Sequence, residues 1–334
     1  MRNDAPRFSS RFTFLISALG IAVGTGNIWR FPRIVATNGG ENGAGSFLVA
    51  WIMFLLLWSI PLIIAEYVLG RQSRKGTVGA FAHFMGKPFA FLGGFVGFVS
   101  TAIAFYYSVI VGWNIYYFGS MTFNALPNTT ETSWEIWNNF QDGSFPILFH
   151  AIAMSVGGFA IYKGVSSIEK VNRILIPTLL AIVLLSVVRA LMLPGSMAGI
   201  TYLFTPDWSQ LKEPRIWLEA LTQNAWDTGA GWGLFLTYAI YIKKRYGVIK
   251  NAFTVAIGNN LVSLMAAIMI FSTVFSILGN EMGMAKPEIL DVMKSSGPAA
   301  TGLTFIWMPQ LFAKMPLGKP LAILFFLGLS FAGF

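Results

Sequence analysis

Gly20-Ile21-Ala22-Val23-Gly24-Thr25-Gly26-Asn27-Ile28-Trp29-Arg30-Phe31-Pro32 lies in the first long apolar run of the chain. A helix in lipid should exclude such a cluster, because each glycine weakens it and every freed backbone polar group needs a partner. Irregular backbone at membrane depth is tolerated only where it is buried in protein or lines a cavity. Residues 20–26 are therefore expected to be the unwound middle of a spanning helix and the centre of a binding site.

The composition agrees: 55% of residues are hydrophobic, 11% are charged, and the mean hydropathy is +0.64. A soluble domain carries about 25% charged residues, so this is an all-α polytopic membrane protein. Eight apolar runs approach the roughly 20 residues a span requires: 12–35, 44–70, 88–118, 146–162, 168–193, 215–243, 249–279 and 317–334. Alternate loops (the tail 1–11, then 71–87, 163–167 and 244–248) and their flanking ends hold 14 of the 23 Lys and Arg residues. These are Arg2, Arg7, Arg11, Arg71, Arg74, Lys75, Lys87, Lys163, Lys170, Arg173, Lys243, Lys244, Arg245 and Lys250. The other side holds Glu41, Glu131, Glu135, Asp142, Asp207, Glu213, Glu281, Glu288 and Asp291. That bias places the N-terminus in the cytoplasm and the chain in the cell membrane, so the net charge of +9 calls for no nucleic-acid partner.

No cleavable signal peptide is expected, because the run from Phe12 is too long and lacks a small-residue cleavage pattern. There are no cysteines, and His83 and His150 lack metal-ligand spacing. Residues 119–145 read as a polar loop with Trp134 and Trp137 at the membrane interface. Asn128-Thr129-Thr130 forms a glycosylation sequon, which matters only in a glycosylating host. Residues 280–316 are long for a loop, and Leu303–Met308 suggests short helices packed on the bundle. A second interruption, Gln223-Asn224-Ala225-Trp226-Asp227-Thr228-Gly229-Ala230-Gly231-Trp232-Gly233, falls in the sixth run. A charge at mid-bilayer costs about 3 kcal/mol on insertion scales, so Asp227 needs a partner or a proton. Two interrupted spans five apart point to an inverted-repeat transporter with its site at the midplane. The expected organisation is a first five-span repeat at 12–193, an extracellular loop at 194–214 and an incomplete second repeat at 215–334.

Gly24-Thr25-Gly26-Asn27-Ile28-Trp29-Arg30-Phe31-Pro32, followed by Asn38-Gly39-Gly40, resembles the opening of the neurotransmitter:sodium symporters. The likeness extends through Pro61, Glu66, Gly70-Arg71, Tyr106-Tyr107 and Thr205-Pro206-Asp207 into the sixth and seventh spans. It implies a first sodium site at the Ala22 carbonyl and the Asn27 and Asn259 side chains, with Asp227 beside it. It implies a second sodium site at the carbonyls of Gly20, Val23 and Ala332. The Thr25 and Gly26 N–H groups and the Tyr107 hydroxyl would hold a substrate carboxylate, and the Ala22 and Trp226 carbonyls its amine. Ile103, Trp226, Gly229 and Trp232 would meet the substrate side chain. Arg30 and Gln223 match the outer gate, with Trp226 as lid, and Tyr241 matches an inner-gate tyrosine.

Gly24 stands where monoamine carriers place an aspartate and leaves that space empty, so the substrate brings its own carboxylate. An α-amino acid, apolar or aromatic, fits best. Ser263 matches the chloride-binding serine of chloride-dependent members. Trp51 in place of their tyrosine, and Asp227 in place of a hydroxyl residue, argue that the carboxylate replaces chloride, permanently or through proton exchange; the alternative is a neutral Asp227 that is simply hydrogen-bonded. A proton-coupled carrier is the nearer alternative and an ion channel the farther one, since the polar groups gather at two breaks instead of lining a continuous path. No nucleophile–base pair or metal cluster suggests an enzyme, and oligomeric state is not legible. The chain ends at Phe334 within the eighth span, which reads as a C-terminal truncation; a polypeptide stopping there is expected to bind sodium poorly and not to transport.

Overall fold

The structure is a computed structural model and describes residues 7–243, 245–295 and 301–334. Arg2 and Lys244 lie outside the described residues, as do residues 1–6 of the expected tail. Among the described residues all regular structure is helical. The first span is two helices, α1 (Arg11–Ala22) and α2 (Thr25–Thr37), bent by 48°. The second is α3 (Gly45–Ser73), which carries a π turn at Leu55–Ser59. A short α4 (Thr77–Met85) leads to α5 (Ala90–Phe123), the third span. The α6 (Thr130–Gln141) and α7 (Phe145–Ile161) helices meet at 73°, and α8 (Val165–Leu191) forms the fifth span. After α9 (Ser196–Phe204), the sixth span consists of α10 (Pro214–Thr228) and α11 (Leu234–Ala239). The seventh is α12 (Val248–Glu281); α13 (Lys286–Lys294) and α14 (Leu303–Ala313) precede α15 (Gly318–Gly333).

Without water in the bilayer core, helices alone satisfy the backbone of an open chain. Packing then decides which helix is central. The α12 helix is 78% buried over its most apolar window, whereas α5 is 6% buried over its own. The α12 helix accordingly carries small and polar residues, Asn251, Asn259, Asn260 and Ser263, facing protein instead of lipid.

At the basic end of the bundle, Phe8 is buried between Phe14 and Tyr238, and its N–H donates to the Tyr241 carbonyl at 3.2 Å. Glu169 Oε1 accepts from Ser9 N–H (2.6 Å), Ser9 Oγ (3.1 Å) and Thr13 Oγ1 (2.6 Å). Lys243 Nζ donates to the Ser9 carbonyl at 2.7 Å. The segment preceding α1 is thereby tied to α8 and to the chain that follows α11.

Three expectations change. The first break is narrower than residues 20–26: only Val23 and Gly24 are extended, and helix resumes at Thr25. Residues 119–145 contain α6, whose Trp137 is buried against Trp113 and Phe305 instead of lying at an interface. Residues 194–214, read as a loop, contain α9. The short helices expected within 280–316 are present as α13 and α14; residues 296–300 lie outside the described residues.

Candidate functional site

The last carbonyls of a helix have no intrahelical donor. Leu19 O accepts from Val23 N–H (2.7 Å), and the Ala22 carbonyl is left at the end of α1. At the break, Gly24 N–H donates to Asn27 Oδ1 at 2.8 Å, which closes the start of α2. That backbone donor fixes the Asn27 amide, so Nδ2 faces the other way, donating to Asn259 Oδ1 (2.9 Å) and Ser263 Oγ (2.7 Å). Asn259 is thereby oriented in turn, with its Nδ2 on Asn260 Oδ1 at 3.2 Å. Its Oδ1 then also lies 2.9 Å from the Ala22 carbonyl oxygen and 3.2 Å from that of Asp227. Reversing the Asn259 amide would let its nitrogen donate to the Ala22 (2.9 Å) and Asp227 (3.2 Å) carbonyls, but would set that nitrogen against Asn27 Nδ2 at 2.9 Å and its oxygen against Asn260 Oδ1 at 3.2 Å. Amide orientation follows the hydrogen-bond network, and this network leaves three buried oxygens facing one another. Clustered neutral oxygens suit a hard cation.

Asn27 therefore aims its nitrogen, not its oxygen, at this cage; it positions Asn259 and caps Gly24. Asp227 contributes its backbone carbonyl, while its carboxylate turns away. There, Oδ1 accepts from Gln223 Nε2 (2.7 Å) and Oδ2 from Ser263 Oγ (3.2 Å). Each carboxyl oxygen thus has a donor in a fully enclosed position. Gln223 Oε1 accepts from Arg30 Nη1, and the Arg30 guanidinium lies 5.0 Å over the Trp226 ring. One hydrogen-bonded chain thus joins Arg30, Gln223, Asp227, Ser263, Asn27 and Asn259.

A cavity of about 540 Å³ opens beside the cage, lined by Gly20, Ala22, Gly24, Asn27, Ile103, Tyr107, Trp226, Gly229, Trp232 and Ala332, among others. The start of α2 points to it. Gly26 N–H donates to Tyr107 Oη at 3.3 Å, and Thr25 Oγ1 and Trp226 Nε1 are buried without partners. A helix N-terminus flanked by unpartnered side-chain donors suits a carboxylate. A side chain on Gly26 would begin 2.8 Å from Trp226 Nε1 and 3.2 Å from Tyr107 Oη. The space beside Gly24 is not empty, as the sequence suggested: a Cβ there would sit 3.0 Å from Tyr107 Oη. Tyr107 would have to give way by a few tenths of an ångström to any side chain there.

The second break is built on glycine conformation. Gly229, Gly231 and Gly233 adopt φ of +64°, +92° and +74°, a region that penalises any Cβ. Glu66, buried in α3, bridges the break: Oε1 accepts from Gly231 N–H (2.6 Å) and Oε2 from Leu236 N–H (3.0 Å). Ser100 Oγ donates to the Trp232 carbonyl. The π turn of α3 sets Ser59 Oγ on Asn224 Oδ1 (2.5 Å), and Thr228 Oγ1 on Ser59 Oγ (3.0 Å). Sequence reasoning gave Glu66 only as a point of likeness and missed Ser59 and Ser100. The available signal was polar residues inside otherwise apolar runs.

Gly20 and Ala332 line one wall of the cavity, whereas Val23 is buried behind it. Tyr241 takes part in the basic end through its backbone carbonyl. Trp51, buried in α3, packs on Phe31 with ring centroids 4.5 Å apart.

A profile of the sodium:neurotransmitter symporter family matches residues 5–143 and 145–334. An uncharacterized sodium-dependent transporter of Methanocaldococcus jannaschii is 33% identical over 98% of this chain and 66% of the relative. The sodium-dependent serotonin transporter of Drosophila melanogaster is 30% identical over 96% of this chain and 55% of its own length. The crystal structure of MhsT in complex with L-phenylalanine superposes with a TM-score of 0.80 at 29% identity, over 98% of this chain and 71% of that one. The chain spans about two thirds of the length of the first curated relatives it matches, 66%, 68% and 67%. The chain belongs to the sodium:neurotransmitter symporter family, which comprises membrane transporters and not enzymes.

Proposed function

We propose that the protein is a sodium-coupled symporter that imports an apolar or aromatic α-amino acid by alternating access. The observation that carries this reading is the oxygen cage of Ala22, Asp227 and Asn259 beside the N-terminal end of α2, where Gly26 N–H and Tyr107 Oη meet. Sodium is cargo at the cage, and a substrate carboxylate completes its shell while accepting from the Thr25 and Gly26 N–H groups. The amine turns to the carbonyls of Ala22 and Trp226, and the side chain enters the space bounded by Ile103, Trp226, Gly229 and Trp232. The likeness to a phenylalanine-bound transporter supports that side-chain class. Gly20, Val23 and Ala332 supply carbonyls to a second sodium. In this reading residues 12–193 and 215–334 are the two inverted repeats, and the basic end faces the cytoplasm across the cell membrane. The staple at Phe8, Ser9 and Glu169 is then the inner gate, and Arg30, Gln223 and Trp226 form the outer one.

The Asp227 carboxylate sits between Gln223 and Ser263, where it supplies a fixed negative charge next to the cage. It takes the part that chloride plays in chloride-dependent relatives. Binding of a panel of labelled amino acids to the purified natural polypeptide, in sodium and in choline, tests the proposal. L-Phenylalanine or a comparable apolar amino acid binds in sodium only, and equally well with chloride or gluconate. Equal binding in choline refutes sodium coupling, and strict chloride dependence refutes the role of Asp227. Uptake driven by a pH gradient without sodium favours the proton-coupled alternative.

A further inference from the structure

Two backbone carbonyls that the proposed site uses, those of Trp226 and Asp227, would each be paired in a continuous helix. There, Ala230 N–H would meet the Trp226 carbonyl and Gly231 N–H that of Asp227. At the second break both donors are diverted to side chains. Gly231 N–H goes to Glu66 Oε1 at 2.6 Å, and Ala230 N–H goes to Thr228 Oγ1 at 3.3 Å. Gly229, at φ +64°, makes the turn, and its own N–H closes the helix on the Ala225 carbonyl at 3.1 Å.

The Thr228 hydroxyl is held in this role from α3. Asn224 Nδ2 donates to the Trp51 carbonyl at 2.8 Å, which turns Asn224 Oδ1 toward Ser59. A hydroxyl has one proton. Ser59 Oγ gives its proton to Asn224 Oδ1, so toward Thr228 Oγ1, 3.0 Å away, it is an acceptor. The other acceptor for the Thr228 proton is the Asn224 carbonyl at 2.8 Å. Either way a Thr228 lone pair is left for Ala230 N–H. Ser59, Asn224 and Thr228 are fully buried, and each of their side-chain polar atoms is paired within this chain.

We propose that Thr228 is a positioning residue for amine recognition. By withholding Ala230 N–H it keeps the Trp226 carbonyl open to the substrate ammonium, beside the cavity that Trp226 lines. Ser59, on the π turn of α3, fixes the hydroxyl that does this. Neither side chain touches the substrate; together they favour an amino acid over the same carboxylate without its amine. This rests on the amino-acid reading above.

Trp226-Asp227 is the sole Trp-Asp step in the chain. Isotope labels at the tryptophan carbonyl carbon and the aspartate nitrogen therefore report the Trp226 carbonyl alone by NMR. In the ligand-free protein, Thr228→Val moves that carbonyl signal downfield, because Ala230 N–H turns to it. Thr228→Ser leaves the signal in place, and Ser59→Ala moves it less far. L-Phenylalanine with sodium moves the natural signal downfield, and 3-phenylpropionate, which lacks the amine, does not. In competition binding, Thr228→Val lowers L-phenylalanine affinity about tenfold, the order expected for a hydrogen bond to a charged group. It leaves 3-phenylpropionate unchanged, and Thr228→Ser keeps the natural ratio of the two. A Thr228→Val signal that does not move, or equal losses for both ligands, overturns the proposal. If the Thr228→Val displacement appears but the natural protein binds no amino acid, the amino-acid reading fails and the amine role with it, while the hold of Thr228 on Ala230 stands.

Discussion

Replacing Asp227 with serine tests how the cage is balanced. The carboxylate lies one side chain away from its own carbonyl, which is a member of the oxygen cluster. At a separation of about 5 Å and an effective dielectric near 20, one charge acting on a bound cation contributes about 3 kcal/mol. Asp227→Ser is therefore expected to weaken sodium roughly 100-fold in gluconate, at 1.4 kcal/mol per tenfold. The substitution also opens a gap between Gln223 Nε2 and Ser263 Oγ, two donors left without an acceptor. Chloride suits that gap, so adding it restores most of the lost affinity. Asp227→Asn fills the gap with a neutral amide; it weakens sodium similarly and is not rescued. The assay is the sodium concentration that half-saturates labelled L-phenylalanine binding, measured with and without chloride. A half-saturating concentration for Asp227→Ser within threefold of the natural protein, unaffected by chloride, would refute the reasoning.

Glu66→Ala leaves the Gly231 and Leu236 N–H groups buried and unpaired. At about 1–3 kcal/mol for each orphaned group, thermal unfolding in detergent should show a midpoint lowered by several degrees, and an unchanged midpoint contradicts the bridging role. Gly26→Ala drives a methyl to within 2.8 Å of Trp226 Nε1. Equilibrium binding is expected to show amino-acid affinity lowered at least tenfold, corresponding to about 1.4 kcal/mol, with the melting curve little changed. Glu169→Ala removes the acceptor shared by Ser9 and Thr13. Hydrogen exchange at residues 8–13 should accelerate several-fold, while exchange in α12 stays constant.

The two breaks were legible because glycines clustered inside an apolar run weaken a helix where lipid offers the freed backbone no partner. Their extents were not. Asn27 returns its own side chain to the Gly24 N–H, so the helix recovers one residue after the break, and only the fold reveals which way that amide turns. Asp227 was visible as a charge needing a partner; Gln223 lies one turn before it on the same helix, but Ser263 comes from the next span. Which part of the residue reaches the cage, carbonyl or carboxylate, depends on the rotation of α10. Glu66 lies 165 residues from Gly231, and Glu169 lies 160 from Ser9. Periodicity does not register contacts that distant. Trp137 read as an interfacial tryptophan because its neighbours are polar; the α6 helix turns it inward against Trp113.

The central claim is that sodium and the amino-acid carboxylate share one site, and reciprocal linkage measures that directly. Binding of radioactive sodium to the purified natural polypeptide, titrated with and without saturating L-phenylalanine, should show each ligand raising the affinity of the other by the same factor. Asn259→Ala, which removes one of the three cage oxygens, should abolish that coupling. Sodium affinity that is independent of the amino acid, or coupling that survives Asn259→Ala, would contradict the account.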